Sequence, residues 1–498
     1  MTPRILSIDG MLFESFKRMR QERPGDPAFL VASGDRSLPI NWRQFTDDID
    51  LVVRLVKQYA CNDKVVLLGE NSYEWFVAHA ATMFAGACVV PVDVNLSARE
   101  IAERIRVTGA TVLVYSALYV EKAHEVRSLV PGIKTGGFGS LKTERFLDSV
   151  RSLFVAKDSI WNQDSVDVSR VSTIVFTSGT TSVPRGAELT IEAIETTVEA
   201  WGEALPLKPG DRTLMLLPVH HIYGLCASYL FLARGVALGV CPDFRRIYDA
   251  VERFRVNYIA LVPALAEILA QKIMHRGKSA EEALGQRIDW ILTGGAPMSR
   301  VVYERLAALG IRTLTAYGLT ETTALYSIEP YSDNAHICSA GKAVSARGVE
   351  TKVSESGELL IRGPSVMKGY LGDIENTAKV IDADGWFHTG DIGRIDEDGY
   401  VWITGRASRT IVLSSGKKVA PEELEAILMC VPGIKEALVS GDPQTREIKA
   451  EIFGDISQAS ALRAVGELNL NLPVYKRIKN VVVRTTPFER TASGKIRV

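Results

Sequence analysis

Ten consecutive residues, Thr177-Ser178-Gly179-Thr180-Thr181-Ser182-Val183-Pro184-Arg185-Gly186, carry the densest chemistry of the chain. They follow an apolar run, Thr173-Ile174-Val175-Phe176, that reads as a buried strand. Glycine lets backbone N–H groups turn toward an anion, hydroxyls rotate to donate to phosphate oxygens, and the guanidinium at the far end neutralises charge. The combination suits a polyphosphate. It is not a Walker A loop, because no Gly-Lys-Ser/Thr closes it. Taken alone, a Ser/Thr/Gly cluster after a strand is a solvated turn, so the assignment depends on what accompanies it.

Further stretches follow in one order: Gly294-Gly295-Ala296-Pro297, Tyr317-Gly318-Leu319-Thr320-Glu321, Gly385-Trp386-Phe387-His388-Thr389-Gly390-Asp391, Gly405-Arg406 and Thr491-Ala492-Ser493-Gly494-Lys495. Together they resemble the adenylate-forming superfamily of acyl-CoA synthetases, stand-alone adenylation enzymes and beetle luciferases. The nearest likeness is to fatty-acyl and coumarate-type CoA ligases, and it runs from about Asn41 to the last residue. It implies a two-step reaction in which a carboxylate and Mg·ATP give acyl-AMP and pyrophosphate, and a thiol then gives thioester and AMP.

Bringing two anions together requires neutralised phosphate charge and an acid held in line with the α-phosphorus. The resemblance implies that Thr177, Ser178, Gly179, Thr180, Thr181 and Arg185 hold the β- and γ-phosphates. Tyr317 beside Gly318 is expected to stack on adenine, with Gly295, Ala296 and Pro297 as the other wall. Thr320 would touch the α-phosphate and Glu321 would bind Mg²⁺, a hard cation that takes carboxylate and phosphate oxygens. Asp391 is the expected ribose ligand, since a carboxylate accepts from both hydroxyls of a cis-diol, and Arg406 can donate to the same sugar. Lys495 is the expected mobile cation at the charge developing between carboxylate and α-phosphate. Ser182 stands where the family commonly has Gly, Arg185 where Lys is common, and Arg409, at the expected hinge, where Asp or Lys is usual.

Pro218-Val219-His220-His221-Ile222-Tyr223-Gly224 resembles the segment that gates the acyl pocket in coumarate and fatty-acyl ligases. His221 is the expected gate, Tyr223 and Ala227 line the pocket, and Ala316, Ala324 and Leu325 form its far wall. No acid stands between Tyr223 and Ala227 to bind an ammonium group, which disfavours an α-amino acid substrate. An apolar medium- or long-chain acid, or an aryl acid, is expected. The acceptor is CoA or the phosphopantetheine of an acyl carrier protein, its phosphates facing Lys417 and Lys418 in the loop Ser414-Ser415-Gly416-Lys417-Lys418-Val419. A nucleotide-binding paralogue without turnover is disfavoured by retention of Glu321, Asp391 and Lys495, and nothing marks a luciferase-type oxygenase.

Composition fits a large enzyme. The 498 residues are ample for several cores, and 58 basic against 59 acidic side chains leave a net charge of −1, which argues against a nucleic-acid binder. From Arg409 onward there are 14 Lys/Arg against 10 Asp/Glu, a mildly basic tail that fits a lid over a nucleotide. Six scattered cysteines without a CxxC pair, mostly in apolar surroundings, read as reduced core thiols of a cytoplasmic protein. The seven histidines show no metal-ligand spacing, no signal peptide is evident at the N-terminus, and the greasy run Leu225 to Ala233 is broken by Arg234 and Gly235. At most peripheral membrane contact is expected.

The elements that must position these residues alternate between short apolar runs and amphipathic helical patterns, beginning at Val65-Val66-Leu67-Leu68 and a helix from Tyr73. This is the pattern of βαβ units and predicts an α/β fold with mostly parallel sheets flanked by helices, whose ligands collect beyond the strands' carboxyl ends. A small β-rich subdomain is expected over about 340–405, within an N-terminal ATP- and acyl-binding domain of 1–408. A mobile α+β lid domain is expected over 409–498, with Pro421-Glu422-Glu423 opening a helix.

Overall fold

The computed structural model describes residues 11–33, 36–60, 63–138, 159–163, 166–177, 184–241, 243–277, 279–333, 336–413, 417–442, 445, 447–489 and 496. The chain divides into two compact units, one made of residues up to Thr177, Val183–Glu350 and Ile361–Phe387, the other containing Thr351–Leu360 and His388–Val498.

In the first unit the predicted βαβ units form. The strands Lys134–Phe138, Val112–Ser116, Lys64–Leu68, Cys88–Val92 and Val171–Phe176 lie side by side in that order and all run parallel. Lys64–Leu68 and Cys88–Val92 are nearly continuous apolar runs because helices cover both faces of a parallel sheet. Val66, Val90, Leu113, Ile101 and Ile105 form part of that core. Gly186–Thr190 closes one side of the sheet, antiparallel to Val171–Phe176.

A second sheet carries Tyr258–Leu261, Trp290–Thr293 and Arg312–Tyr317 in parallel, followed by the short antiparallel pieces Ser327–Ile328 and Lys342–Ala343. Two helices without a polar face, Tyr73–Phe84 and Ile222–Ala233, are buried almost all round. His79 Nδ1 lies 2.8 Å from the Tyr229 hydroxyl and joins them, and complete burial pulls this imidazole down to about 3. Another buried group, Glu195 on the helix Ile191–Ala204, accepts from the Leu12 N–H at 2.7 Å, where the helix Met11–Glu22 begins. Burial pushes the Glu195 carboxyl up to about 7.

The β-rich part, most of it in the second unit, has the strands Glu350–Val353, Glu358–Arg362, Phe387–Ile395 and Val401–Arg406 in order. Asp396 accepts from the Tyr400 N–H in the turn joining the last two. Beyond it, Ile434–Gly441, Ile448–Gly454 and Asn480–Val483 form a three-stranded sheet that shares one core with the helices Pro421–Leu428 and Gln458–Leu470. Pro421 sits at the first helical position and Glu422 and Glu423 in the first turn, as a helix N-terminus favours.

Among the described residues no helix is long and apolar enough to cross a membrane. Cys88, Cys226 and Cys241 are buried free thiols, and burial pushes Cys88 up to about 12. Cys338 and Cys430 depart from the expected core placement and are exposed, because both stand outside the sheets and their packing helices; Cys61 lies outside the described residues.

Candidate active site

The strands on either side of the polyphosphate-type loop pair antiparallel. Phe176 pairs with Gly186, and the Thr177 N–H donates to the Arg185 carbonyl at 2.9 Å, so Thr177 and Arg185 close its base. Ser178, Gly179, Thr180, Thr181 and Ser182 lie outside the described residues, as does Lys495. The Arg185 side chain is partly exposed, with Nε 3.6 Å from Asp373 Oδ2 and its guanidinium carbon 5.5 Å from the centre of the Tyr370 ring.

Gly294 and Tyr317 end or follow neighbouring parallel strands, in which Thr293 pairs with Thr315. Gly295, Ala296 and Pro297 are exposed at that end, and Gly295 has φ +80°, a conformation glycine adopts without strain. Tyr317 is half-buried, its ring 5.3 Å from that of Tyr326. The chain then doubles back tightly: a Cβ on Gly318 would stand 2.1 Å from the Ala324 carbonyl carbon, so only hydrogen fits there. Thr320 and Glu321 lie in the intervening single turn, Thr320–Thr322.

That turn is fastened from several sides. Thr323 and Ala324 adopt left-handed φ values of 53° and 62°, which non-glycine residues hold only when their surroundings impose them. The Thr323 carbonyl accepts from Thr197 Oγ1 at 2.7 Å, and Thr323 Oγ1 donates to the Ser365 carbonyl at 2.8 Å. The Met367 N–H donates to the Glu321 carbonyl at 2.8 Å, while the Tyr370 hydroxyl donates to Glu321 Oε1, also at 2.8 Å. Burial and then the Glu321 charge push the Tyr370 phenol upward, so it stays protonated as the donor. One carboxylate is a poor complete cage for a metal, and among the described residues no group of three or more His, Cys, Asp or Glu could hold one. A single hard oxygen donor does fit Mg²⁺, which keeps waters and takes the rest of its ligands from phosphates.

On the acyl side, Tyr223 and Ala227 stand one helical turn apart on Ile222–Ala233. The Tyr223 hydroxyl donates to the Leu292 carbonyl at 3.0 Å, and its ring would touch a Cβ on Gly294. His221 occupies the N-cap position without a side-chain cap and keeps open surface. Its ring lies 4.4 Å from that of His220, whose Nε2 is 3.8 Å from Asp93 Oδ2. Burial, with His221 adding to it, pulls His220 down to about 4; protein packed around His221 lowers that imidazole too, so both are neutral at pH 7. Ala227, Ala316, Ala324 and Leu325 are all buried.

In the second unit Asp391 and Arg406 come together. They face each other across the strand pair, with Arg406 Nε 2.6 Å from Asp391 Oδ1. Arg409 is anchored by its side chain, Nη1 3.0 Å from Glu422 Oε1 and Nη2 2.6 Å from Glu425 Oε1. Lys417 lies over the Tyr475 ring, its Nζ 4.3 Å from the centre.

Tyr370 and Asp373 are the residues that sequence reasoning did not single out. Their signal was faint, because Gly369-Tyr370 sits in a stretch without periodicity and Tyr370 meets its partner Glu321 49 residues away.

Residues 16–371 match the model of the AMP-binding enzyme family. A long-chain-fatty-acid–CoA ligase of Mycobacterium tuberculosis is 29% identical over 455 residues, covering 88% of this chain and 87% of that protein. A 4-coumarate–CoA ligase of Oryza sativa subsp. japonica is 29% identical over 479 residues, covering 87% and 82%. The crystal structure of ATP-bound MatB from Rhodopseudomonas palustris superposes with a TM-score of 0.82 over 97% of both chains at 23% identity, a likeness of fold. The expected α/β architecture and adenylate-forming kinship are met, and the chain belongs to the AMP-binding enzyme family.

Proposed function

We propose that the protein is an AMP-forming acid–CoA ligase for an apolar medium- or long-chain fatty acid or an aryl acid. A carboxylate oxygen attacks the α-phosphorus of ATP and pyrophosphate leaves. The thiol sulfur of CoA then attacks the acyl carbonyl, loses its proton, and AMP leaves with the anhydride oxygen. Arg185 supplies fixed positive charge to the departing phosphates, Tyr317 and the Gly295–Pro297 turn hold the base, and Asp391 with Arg406 holds the ribose. Glu321 holds Mg²⁺, which when bound neutralises phosphate charge and polarises the phosphorus. Lys495 meets the charge that forms in the first step, and Arg409 is the hinge between a lid of 409–498 and the preceding 1–408.

What supports the substrate reading is that the side chains assigned to the acyl pocket are uncharged. Tyr223, Ala227, Ala316, Ala324 and Leu325 offer no partner to an ammonium or a second carboxylate. Burying either charge unpaired costs several kcal/mol, roughly enough to lower kcat/KM by orders of magnitude. The named activities of the two relatives, on long-chain fatty acids and on 4-coumarate, support the same class. Pyrophosphate release across fatty, aryl and dicarboxylic acids, with CoA present and absent, tests it. Preference for malonate, succinylbenzoate or an amino acid over octanoate and cinnamate would refute the pocket assignment. Thioester formation only on a carrier protein would replace CoA as the acceptor.

A further inference from the structure

Residues 367–371 touch two parts of the site at once. Their backbone pairs with the strand Gly186–Thr190 that leaves the phosphate-type loop: Lys368 N–H donates to the Glu188 carbonyl, Glu188 N–H to the Gly369 carbonyl, and Leu371 N–H to the Gly186 carbonyl, at 2.8–3.0 Å. The same segment reaches Glu321 twice, through the Met367 N–H to its carbonyl and the Tyr370 hydroxyl to its carboxylate. The Tyr370 ring meanwhile lies under the Arg185 guanidinium. One side chain therefore contacts both the cation expected on the phosphates and the carboxylate expected on the metal.

From this geometry we infer that Tyr370 is a positioning residue, whose hydroxyl fixes the rotamer of Glu321 and leaves Oε2 to the magnesium of bound ATP, while its ring seats Arg185. Among the described residues no hydrogen bond engages Oε2, so the bond from Tyr370 orients the carboxylate without using up its donor capacity. A glutamate has three rotatable bonds, and a charge-assisted hydrogen bond to one oxygen removes most of that freedom before the cation arrives. The hydroxyl donates to Glu321 and also faces the Arg185 guanidinium, while the ring contact to Arg185 survives removal of the oxygen. The inference rests on the proposed acid-activation reading.

Calorimetric titration of the full chain with ATP, with Mg²⁺ and in excess chelator, measures the metal-dependent gain in nucleotide affinity without turnover. Tyr370→Phe keeps the ring over which Arg185 sits and removes the donor. The gain should shrink about ten-fold or more, the scale of a hydrogen bond to a charged group, while chelator-state affinity stays close to wild type. Glu321→Asp withdraws the carboxylate from the hydroxyl and should lose the same gain, with no further loss in the double variant. An undiminished gain in Tyr370→Phe, or fully additive losses, would overturn the inference alone. A wild type whose ATP affinity ignores Mg²⁺ and which adenylates no acid would overturn the functional reading and the inference with it.

Discussion

Arg406 Nε stands 2.6 Å from Asp391 Oδ1, and the two residues are direct partners in the antiparallel register of Phe387–Ile395 and Val401–Arg406. The carboxylate is buried and the guanidinium partly open. Losing the arginine deprives a buried charge of a bonded cation, which should cost about 1–2 kcal/mol once solvent access to Arg406 is allowed for. Arg406→Ala should thus lower the urea midpoint, whereas Asp391→Asn should weaken ATP binding at least about ten-fold by removing acceptors for sugar hydroxyls. Nucleotide affinity unchanged in Asp391→Asn would exclude the ribose role.

Lys495→Ala should abolish acyl-AMP formation and leave ATP binding largely intact, because in the proposed reaction the charge it would meet develops only in the transition state. ATP–pyrophosphate exchange within a few-fold of wild type would remove Lys495 from the mechanism.

Arg409 is gripped by two glutamates of the helix Pro421–Leu428, so its side chain moves with that helix. Arg409→Ala leaves Glu422 and Glu425 close together without their cation and should reduce stability by about 2 kcal/mol in chemical denaturation. Arg409→Pro fixes φ and should slow consumption of pre-formed acyl-AMP by thiol while adenylation persists. Equal loss in both half-reactions would rule out a hinge there.

Glu195 and His79 give stability opposite pH dependences. The carboxyl of Glu195 is raised from 4.5 to about 7 in the folded chain, so the folded state holds its proton longer. Its contribution is complete below pH 4.5 and drains away as pH rises toward 7, by about 3 kcal/mol at most. His79 is lowered from 6.5 to about 3, so its contribution is complete above 6.5 and is lost as pH falls toward 3. Glu195→Gln should flatten the fall on the rising side of the denaturation profile and His79→Gln the fall on the acid side. A Glu195→Gln profile that tracks wild type from pH 5 to 8 would show that the carboxyl is not shifted.

Ala227 distinguishes a pocket wall from ordinary packing. Ala227→Leu should shorten the longest acid accepted, read as the ratio of kcat/KM for dodecanoate and hexanoate. Loss of about 1–3 kcal/mol of stability with an unchanged ratio is the signature of an overpacked core and would remove Ala227 from the acyl site.

The βαβ core was legible because Lys64–Leu68, Cys88–Val92 and Trp290–Thr293 are short apolar runs bounded by polar breaks, and local pattern suffices to mark such strands. Asp391 and Arg406 were legible through motifs, and the structure pairs the two side chains. The antiparallel exit of the phosphate-type loop was not legible, since Gly186–Thr190 has the same texture as a parallel strand and only its pairing sets direction. Tyr370 was hidden for a related reason: a hydrogen bond between distant segments leaves no period in either one.

Gly186–Thr190 is the last strand of its sheet, and such a strand ordinarily offers a row of unpaired amides to any extended chain. Residues 367–371 occupy that row. The segment that seats Glu321 and Arg185 is thus also a guard against strand addition, and a substitution that detaches its backbone should be seen first as self-association of the protein on storage, before any slowing of its chemistry.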